Sequence, residues 1–579
     1  MAYLNFKSKY DKYPSTKVEG HHAIQGYDAI LEALKTKINK EDFILCVDTY
    51  PGVDDTEVLE QLKKLNPDTL IETIDIFKDS STINEQIKYQ MTDDRVFGNM
   101  YNGKVTDFID EERLKEATAK ASSAKGLTII YGFGAFLVQN PDLAVYLDMA
   151  RWEIQARLRA GGGNYKAGNE AEDALRKFKR GYFFEWRIAD KHKMQYIKKV
   201  DYFIDTNKAN DPKMISGDAF QKALDMIVTK PFRTVPYFDP GVWGGQWMKE
   251  VCNLDTSKAN YAWSFDGVPE ENSVLFDFDG TVLEFPAMDV VLSRPKELLG
   301  PQVYARFGAE FPIRFDFLDT MEGQNLSLQV HPLTEYAKKQ FGISYTQDES
   351  YYILDAVEGA KVYLGLKENI NPDTMIDELR QANKGEIVFD AEKYINTFEV
   401  KKHDHYLIPA GTCHCSATGT MVLEISATPY IFTFKLWDWE RLGLDGLPRP
   451  VHIEHGKEVI QWDRTTPWVE KNLVNNFYDV DEDCGCRVEH TGLHELEFIE
   501  TRRYTIDKNS KHSTNNTVNM LNLIDGKEAI VESVNGEFEP FVVHYAETFI
   551  IPANVKEYTI RPYGLSENEE IKVIKAYVR

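Results

Sequence analysis

The chain has 579 residues, which at about 150 residues per domain predicts about three or four domains and excludes a single small module. Acidic residues number 92 and basic residues 67, a formal charge of −25, and such a surface repels phosphate backbones and anionic lipid, so neither nucleic-acid nor membrane binding is expected. Apolar residues make up 43% and charged residues 27% of the chain, ordinary globular usage that excludes global disorder.

Met1 to Lys17 mixes Lys, Asp, Tyr and Ser with no apolar run, so no secretory leader is expected. The longest apolar stretch, Leu127 to Val138, is broken by Gly132 and Gly134 and is shorter than the ~20 residues a spanning helix needs. The cysteines (Cys46, Cys252, Cys413, Cys415, Cys484, Cys486) form no C-x-x-C pair. Reduced thiols in a cytoplasmic protein are the expectation.

Along residues 1–225, short apolar runs alternate with helical patterns. Phe43–Val47 reads as a buried strand, Val58–Leu65 as helix, Leu70–Phe77 as strand, Leu127–Tyr131 and Leu143–Leu147 as strands, Met149–Ala160 as helix, and Tyr202–Ile204 as strand. This alternation predicts a doubly wound α/β domain. Val47–Thr56 follows a strand and opens a helix, where a phosphate loop would sit. Against G-x-x-x-x-G-K-[ST], Thr49, Asp54 and Asp55 replace the glycines and the lysine, and only Thr56 fits. The basic stretch Arg176, Lys177, Lys179, Arg180, Arg187, Lys191, Lys193 reads either as a solvated helix face or as a receiver for a phosphorylated ligand.

From Pro231 onward the chain is rich in Pro, Gly and aromatics. Closely spaced strand-like runs follow, including Ser273–Phe278, Gly385–Phe389, His405–Ile408 and Thr420–Ile425. They predict two antiparallel β modules, sandwiches or barrels, at 226–489 and 490–579. Phe549–Ala553 in the second echoes Leu407–Ala410 in the first.

The first β module carries a candidate metal constellation. Gln329 and His331 are two apart in a strand-like run and so share a face. Glu349 precedes the apolar run Tyr351–Leu354, and His414 closes Pro409-Ala-Gly-Thr-Cys-His. Two imidazoles, a carboxylate and an amide oxygen suit one divalent cation, zinc above others, with a position left for substrate or water. Cys413 and Cys415 flank His414 and read as packing; His403 and His405 read as a solvated turn.

Gln-Val-His-Pro, the glutamate strand and Pro-Ala-Gly-Thr-x-His together resemble the type I mannose-6-phosphate isomerases, cupin-fold zinc enzymes. Val242-Trp-Gly-Gly245, Phe311-Pro312, Phe317-Leu-Asp319, Trp437-Asp-Trp-Glu-Arg441 and Pro448-Arg-Pro-Val-His452 agree in order, so the resemblance spans residues 230–579. It implies the cupin, or jelly-roll, form of β-sandwich for the two modules, one Zn²⁺ held by Gln329, His331, Glu349 and His414, a sugar or sugar phosphate as the small-molecule partner, and interconversion of mannose 6-phosphate and fructose 6-phosphate. Lys435 stands where the family has an arginine beside the enediolate, which makes it the catalytic candidate, and Ser327 and Lys435 are the residues expected to meet substrate. Two family lysines are replaced by Asp316 and Gln347. Intact ligands with altered cations leave two readings open: an isomerase for a different or less anionic sugar, or a non-catalytic sugar-phosphate-binding regulatory protein. His405 or another residue would move the proton. The 490–579 module lacks a matching ligand set and is expected to be structural. Residues 1–225 are similar to uridine kinases in organisation, which implies a P-loop-kinase-like domain with a degenerate phosphate loop, serving another ligand or assembly. The resemblance leaves oligomeric state unassigned.

Overall fold

The computed structural model describes every residue except Met1, Pro429, Ile431, Asp445, Leu447 and Pro448; the first residue of the Pro448–His452 motif is therefore outside the described residues. The chain forms two compact units, one of residues 15–227 and 273–293, the other of 1–14, 228–272 and 294–579. No helix among the described residues is long and apolar enough to cross a membrane.

The α/β unit is built on a seven-stranded sheet of β1 (Ile24–Gln25), β2 (Phe43–Thr49), β3 (Thr69–Glu72), β4 (Leu127–Tyr131), β5 (Leu143–Asp148), β6 (Tyr202–Asp205) and β7 (Lys213–Ser216), in the order β1-β7-β6-β5-β2-β4-β3. The five strands β3 to β6 and β2 pair in parallel, with antiparallel pairs at the β7 edge. Parallel strands buried on both faces need unbroken apolar runs, and β2, β4 and β5 supply them. The Leu70–Phe77 run is strand only to Glu72 and turns into a short 3₁₀ segment at Thr73–Asp75.

The loop after β2 differs from a phosphate cradle in what fills it. Asp54 caps the helix Asp55–Leu62 by accepting from Glu57 N, and Asp55 accepts from the Tyr131 hydroxyl at 2.8 Å. Gly52, at φ 111°, packs against Ile154, and Arg157 donates to the Gly52 carbonyl. Of the basic stretch, Lys177, Lys179, Arg180 and Lys193 are buried, while Lys191 is exposed and Arg176 and Arg187 are half-buried. Lys177 donates to the carbonyls of Leu158, Gly162 and Glu170, and Lys179 donates to those of Met91 and Asp94. Buried ammonium groups thus replace water as donors to loop carbonyls.

Residues 273–293, which the contiguous boundaries above place in the first sandwich, extend the α/β unit. The strand Ser273–Phe278 pairs in parallel with Ser15–Lys17 and antiparallel with Thr281–Pro286. Glu284 then accepts from the Trp152 indole at 2.7 Å, and its N–H donates to Asp205.

The second unit contains two double-sheet modules with antiparallel strand pairing. The first has β8 (Tyr237–Asp239), β9 (Trp263–Phe265), β10 (Arg314–Asp319), β11 (Leu328–Val330), β12 (Asp348–Ala356), β13 (Lys361–Leu366), β14 (Ile395–Glu399), β15 (His405–Ile408), β16 (His414–Ser416), β17 (Thr420–Ala427) and β18 (Phe434–Trp437). They form a six-stranded sheet, β15-β12-β17-β10-β9-β8, and a five-stranded sheet, β14-β13-β16-β11-β18. Gly385–Phe389, read above as a strand, is instead the turn and extended segment after the helix Pro372–Asn383. The second module runs from β19 (Tyr478–Asp479) and β20 (Arg487–Gly492) through β21 (Ile499–Ile506), β22 (Ser510–Ser513), β23 (Asn519–Asp525), β24 (Glu528–Ser533), β25 (Phe541–His544), β26 (Thr548–Ile551) and β27 (Glu557–Pro562) to β28 (Ile571–Val578). Its sheets are six- and four-stranded and enclose a core that includes Tyr504, Phe549, Tyr558 and Val573.

In the α/β unit, Lys193 Nζ lies 2.9 Å from Asp148 and 2.5 Å from Asp289, and all three are fully buried. Removing one partner of a buried charge group leaves uncompensated charge and costs about 3–5 kcal/mol. Lys193→Met is therefore expected to destabilise this unit by about that amount, read as faster amide hydrogen exchange in β2 and β5 with no change in the sandwich strands.

Candidate metal centre

Four side chains from both sheets of the first sandwich converge on one point. Gln329 is the middle residue of β11, and β16 sets His414 directly opposite it. His331 lies one residue beyond β11, on the same face as Gln329 by strand alternation. Glu349 comes across from the other sheet, in β12. One ligand atom from each of His331, Glu349 and His414 lies within 4.8 Å of the others, and all three are fully buried.

The tautomers are set by the backbone. His331 Nδ1 is 2.7 Å from the Phe432 carbonyl and His414 Nδ1 is 2.8 Å from the Thr412 carbonyl. A carbonyl can only accept, so each Nδ1 carries a proton and each Nε2 faces the centre. His331 Nε2 is 3.1 Å and His414 Nε2 2.8 Å from the Glu349 carboxylate, yet His331 Nε2 and Glu349 Oε1 make no hydrogen bond of good geometry among the described residues. Each Nε2 can thus face the buried carboxylate either with a proton or, through its lone pair, with a shared cation between them. The donor set therefore fits a divalent ion. Gln329 Nε2 is 3.2 Å from His414 Nε2; amide nitrogen and oxygen exchange places by rotation, which turns the oxygen toward the same point.

The charges respond accordingly. Burial alone would raise the Glu349 pKa, but the two imidazoles hold it well below the usual carboxylate range. Burial lowers the His331 pKa, and the Glu349 carboxylate more than offsets that, leaving it raised. A cation entering the centre therefore competes with protonation of the imidazoles.

Around this centre the sequence candidates separate. Ser327, Gln329 and His331 share a face, and the Ser327 hydroxyl donates to Asp438 at 2.9 Å. Lys435 in β18 is directly paired with Gln329 and half-buried, so both side chains leave the sheet on the same side. Asp438 is in turn held by Arg441 Nη2 at 2.6 Å and Arg449 Nη1 at 2.8 Å. These two arginines carried no role in the sequence reading. Their motif positions were the only signal, because nothing local ties residues 441 and 449 to Ser327.

The opposite wall is acidic. In the register of β10, β17 and β12, Arg314, Ser426 and Glu349 form one row, and Asp316, Glu424 and Tyr351 the next. Burial pushes Asp316 up to about 7 despite Arg314, and burial with the nearby Glu349 raises Glu424 well above its ordinary value. Gln347 has a positional role: its amide nitrogen donates to Glu349 Oε2 at 2.8 Å and its oxygen accepts from Phe432 N at 2.8 Å. One side chain therefore ties Glu349 to the segment that orients His331.

His405 does not join the centre. It pairs with Tyr352, which points to the face opposite Glu349; its Nε2 bonds to Ser350 Oγ at 2.8 Å, and burial pushes its pKa down to about 3. It is thus a neutral, buried side chain, not part of a solvated turn and not the proton carrier. Cys413 and Cys415 are buried packing residues.

A family described as a domain of unknown function (DUF8485) matches residues 26–229. Over 337 residues the chain is 24% identical to GmuF, a probable mannose-6-phosphate isomerase of Bacillus subtilis, covering 58% of this chain and 96% of that protein. The mannose-6-phosphate isomerase ManA of the same organism is 22% identical over 342 residues, 59% of this chain and 96% of its own. A 221-residue match to the mannose-6-phosphate isomerase of Streptococcus mutans is 26% identical and covers 38% of this chain and 64% of that one. The crystal structure of the B. subtilis mannose 6-phosphate isomerase overlaps 60% of this chain and 99% of its own, at 17% identity and a TM-score of 0.49. Homology to mannose-6-phosphate isomerases thus extends over somewhat more than half of the chain.

Two outcomes follow from this geometry. Gln347→Ala is expected to weaken divalent-metal affinity about 10–100-fold, the usual cost of losing a residue that orients a ligand, as measured by competition with a chromophoric chelator; unchanged affinity would remove Gln347 from the site. Because the ion competes with a proton on His331, affinity should fall as pH drops below the raised imidazole pKa. Calorimetric titration in buffers of different ionisation enthalpy should show proton release on binding.

Proposed function

We propose that the chain is a zinc-dependent aldose-ketose isomerase that interconverts mannose 6-phosphate and fructose 6-phosphate or a closely related sugar pair. The observation that carries this reading is the buried His331–Glu349–His414 cluster, in a chain that aligns with nearly the full length of mannose-6-phosphate isomerases. Gln329, His331, Glu349 and His414 hold the ion. A bound dication supplies Lewis-acid polarisation of the sugar oxygens.

The chain's own groups supply the rest. Lys435, on the same face as Gln329, sets a positive charge beside the oxyanion of the enediolate. It keeps the charge of the family's arginine but grips at a single point. Ser327 meets the substrate at the edge of the centre, and Arg441 and Arg449, reached through Asp438, give that edge the sign that suits a phosphate. The metal-bearing module corresponds to residues 226–489 and the 490–579 module is structural; both are cupins. For residues 1–225 the reading is a P-loop-kinase-like domain without competent nucleotide chemistry, consistent with the parallel strand order and with Asp54 and Asp55 in the loop after β2.

The buried carboxyl groups of Asp316 and Glu424 favour a second reading, in which the same centre binds a sugar phosphate without turning it over. A coupled assay from mannose 6-phosphate to fructose 6-phosphate, with and without chelator, separates the two: the isomerase reading requires turnover that chelator abolishes and zinc restores. His331→Ala should lose both metal and turnover. Lys435→Met should keep its metal while kcat falls about 100–1,000-fold, as for loss of one oxyanion-stabilising group; full activity in that variant would assign the charge to another residue.

A further inference from the structure

The chain holds two C-x-C pairs, and the structure treats them differently. Cys413 and Cys415 lie along an extended segment at β16 and are buried in packing. Cys484 and Cys486 lie in the turn between β19 and β20, where Gly485 adopts φ +76°. An L-residue rarely takes that conformation, and here it folds the chain so that the two neighbouring side chains meet. Their sulfurs are 2.9 Å apart. An Ala at 485 would be strained by the positive φ, although its Cβ would meet nothing nearer than the Asn509 carbonyl at 3.6 Å.

We propose that Cys484 and Cys486 form a thiol–disulfide exchange site for a low-molecular-weight disulfide bearing both carboxylate and ammonium groups. Cys486 is half-buried and lines a cavity of about 430 Å³, whereas Cys484 is 3% exposed behind it. The cavity walls carry Arg487, Arg503 and Lys572 beside Glu489 and Glu570, a mixed-sign surface that suits a zwitterionic ligand. Ser510 Oγ donates to the Cys484 carbonyl at 3.0 Å, which leaves its lone pair for the Cys486 S–H, also at 3.0 Å. The turn is anchored by Val480 N to Val488 O and by Lys511 N to Cys484 O, which holds the backbone positions from which the two sulfurs meet.

The Cys486 thiolate attacks one sulfur of the small disulfide; that S–S bond breaks, and one small thiolate leaves and takes up a proton. The Cys484 thiolate then attacks the Cys486 sulfur, the mixed disulfide breaks, and the second small thiol departs. Two protein thiols are oxidised to one disulfide and one small disulfide is reduced to two thiols, so atoms and electrons balance. Closure across a single intervening residue gives a tight ring, and strained disulfides are the readily reduced ones. Burial and the contact with Cys484, with Glu482 nearby, push the Cys486 thiol up to about 12, while the buried Lys575 beside the pair is pushed down to about 8. The thiolate fraction is therefore small and exchange is slow at neutral pH.

The test is incubation of the full chain with glutathione disulfide at mildly alkaline pH, followed by acid quench, denaturing alkylation and peptide mapping. The expected result is a fall from six alkylatable thiols to four, with the link inside the peptide that contains Cys484 and Cys486 and full recovery with dithiothreitol. Cys484→Ser should trap a glutathione adduct on Cys486, and Cys486→Ser should acquire none at position 484. The proposal is overturned if the wild-type chain keeps all its thiols, if the adduct persists on wild-type Cys486 without ring closure, or if the same loss of thiols occurs in the double Cys484→Ser/Cys486→Ser variant. Metal content and isomerase turnover enter none of these readouts, so the result stands apart from the function proposed above.

Discussion

A carboxylate that is fully buried between two sheets cannot remain ionised without compensation, and Glu349 is in that position. Its partners are the Gln347 amide and two imidazoles whose Nδ1 protons are already committed to backbone carbonyls. What compensates Glu349 is positive charge on the Nε2 side of the imidazoles, carried by a ring proton or by a cation held between the lone pairs and the carboxylate. Much of the first sandwich can be read as the apparatus that maintains this arrangement. The β12–β17 register sets the depth of Glu349, the segment at Phe432 fixes one imidazole, the turn at Thr412 fixes the other, and Gln347 joins two of these parts.

Charge around the centre is laid out asymmetrically. Lys435, Arg441 and Arg449 belong to the side of the five-stranded sheet that carries Ser327, whereas Asp316 and Glu424 line the other sheet. For a sugar phosphate the physical consequence is orientation: the anionic end is favoured on the first side, and the second side presents carboxyl groups that burial biases toward the neutral, hydrogen-bonding form. Asp316 and Gln347 each have a defined place in this arrangement: Asp316 is a buried carboxyl beside Glu424, and Gln347 is a strut for a candidate ligand.

The α/β unit meets a related problem with a different solution. Asp48 and Asp148 end or nearly end the central strands, at the edge of the sheet where doubly wound folds commonly receive ligands. Here Asp48 accepts from Gly134 N and Phe136 N and lies 2.8 Å from His192 Nε2, while Lys193 bridges Asp148 and Asp289. The charges at that edge satisfy one another, and Ile154 and Arg157 close over the loop that follows β2.

Local pattern carried a good deal of this protein. Unbroken apolar runs such as Phe43–Val47 and Leu143–Leu147 mark buried parallel strands because a strand covered on both faces has no use for alternation. The two-residue spacing of Gln329 and His331 places them on one face for the same geometric reason. Pattern failed where the deciding contact was distant. Gly385–Phe389 has the composition of a strand but joins no sheet among the described residues, and Ser273–Phe278, a strand as read, belongs with the α/β unit through its pairing with Ser15–Lys17, more than 250 positions away. His405 resembled a turn residue until the β12 register turned it to the face opposite Glu349. Sequence alone determined the class of each module and the chemistry of its candidate donors, since periodicity and side-chain type are local properties. Only the tertiary structure decided which donors share a point, which arginines back Ser327, and that a glycine turn brings Cys484 against Cys486, because those outcomes depend on sheet register and backbone torsion, which no single residue type encodes.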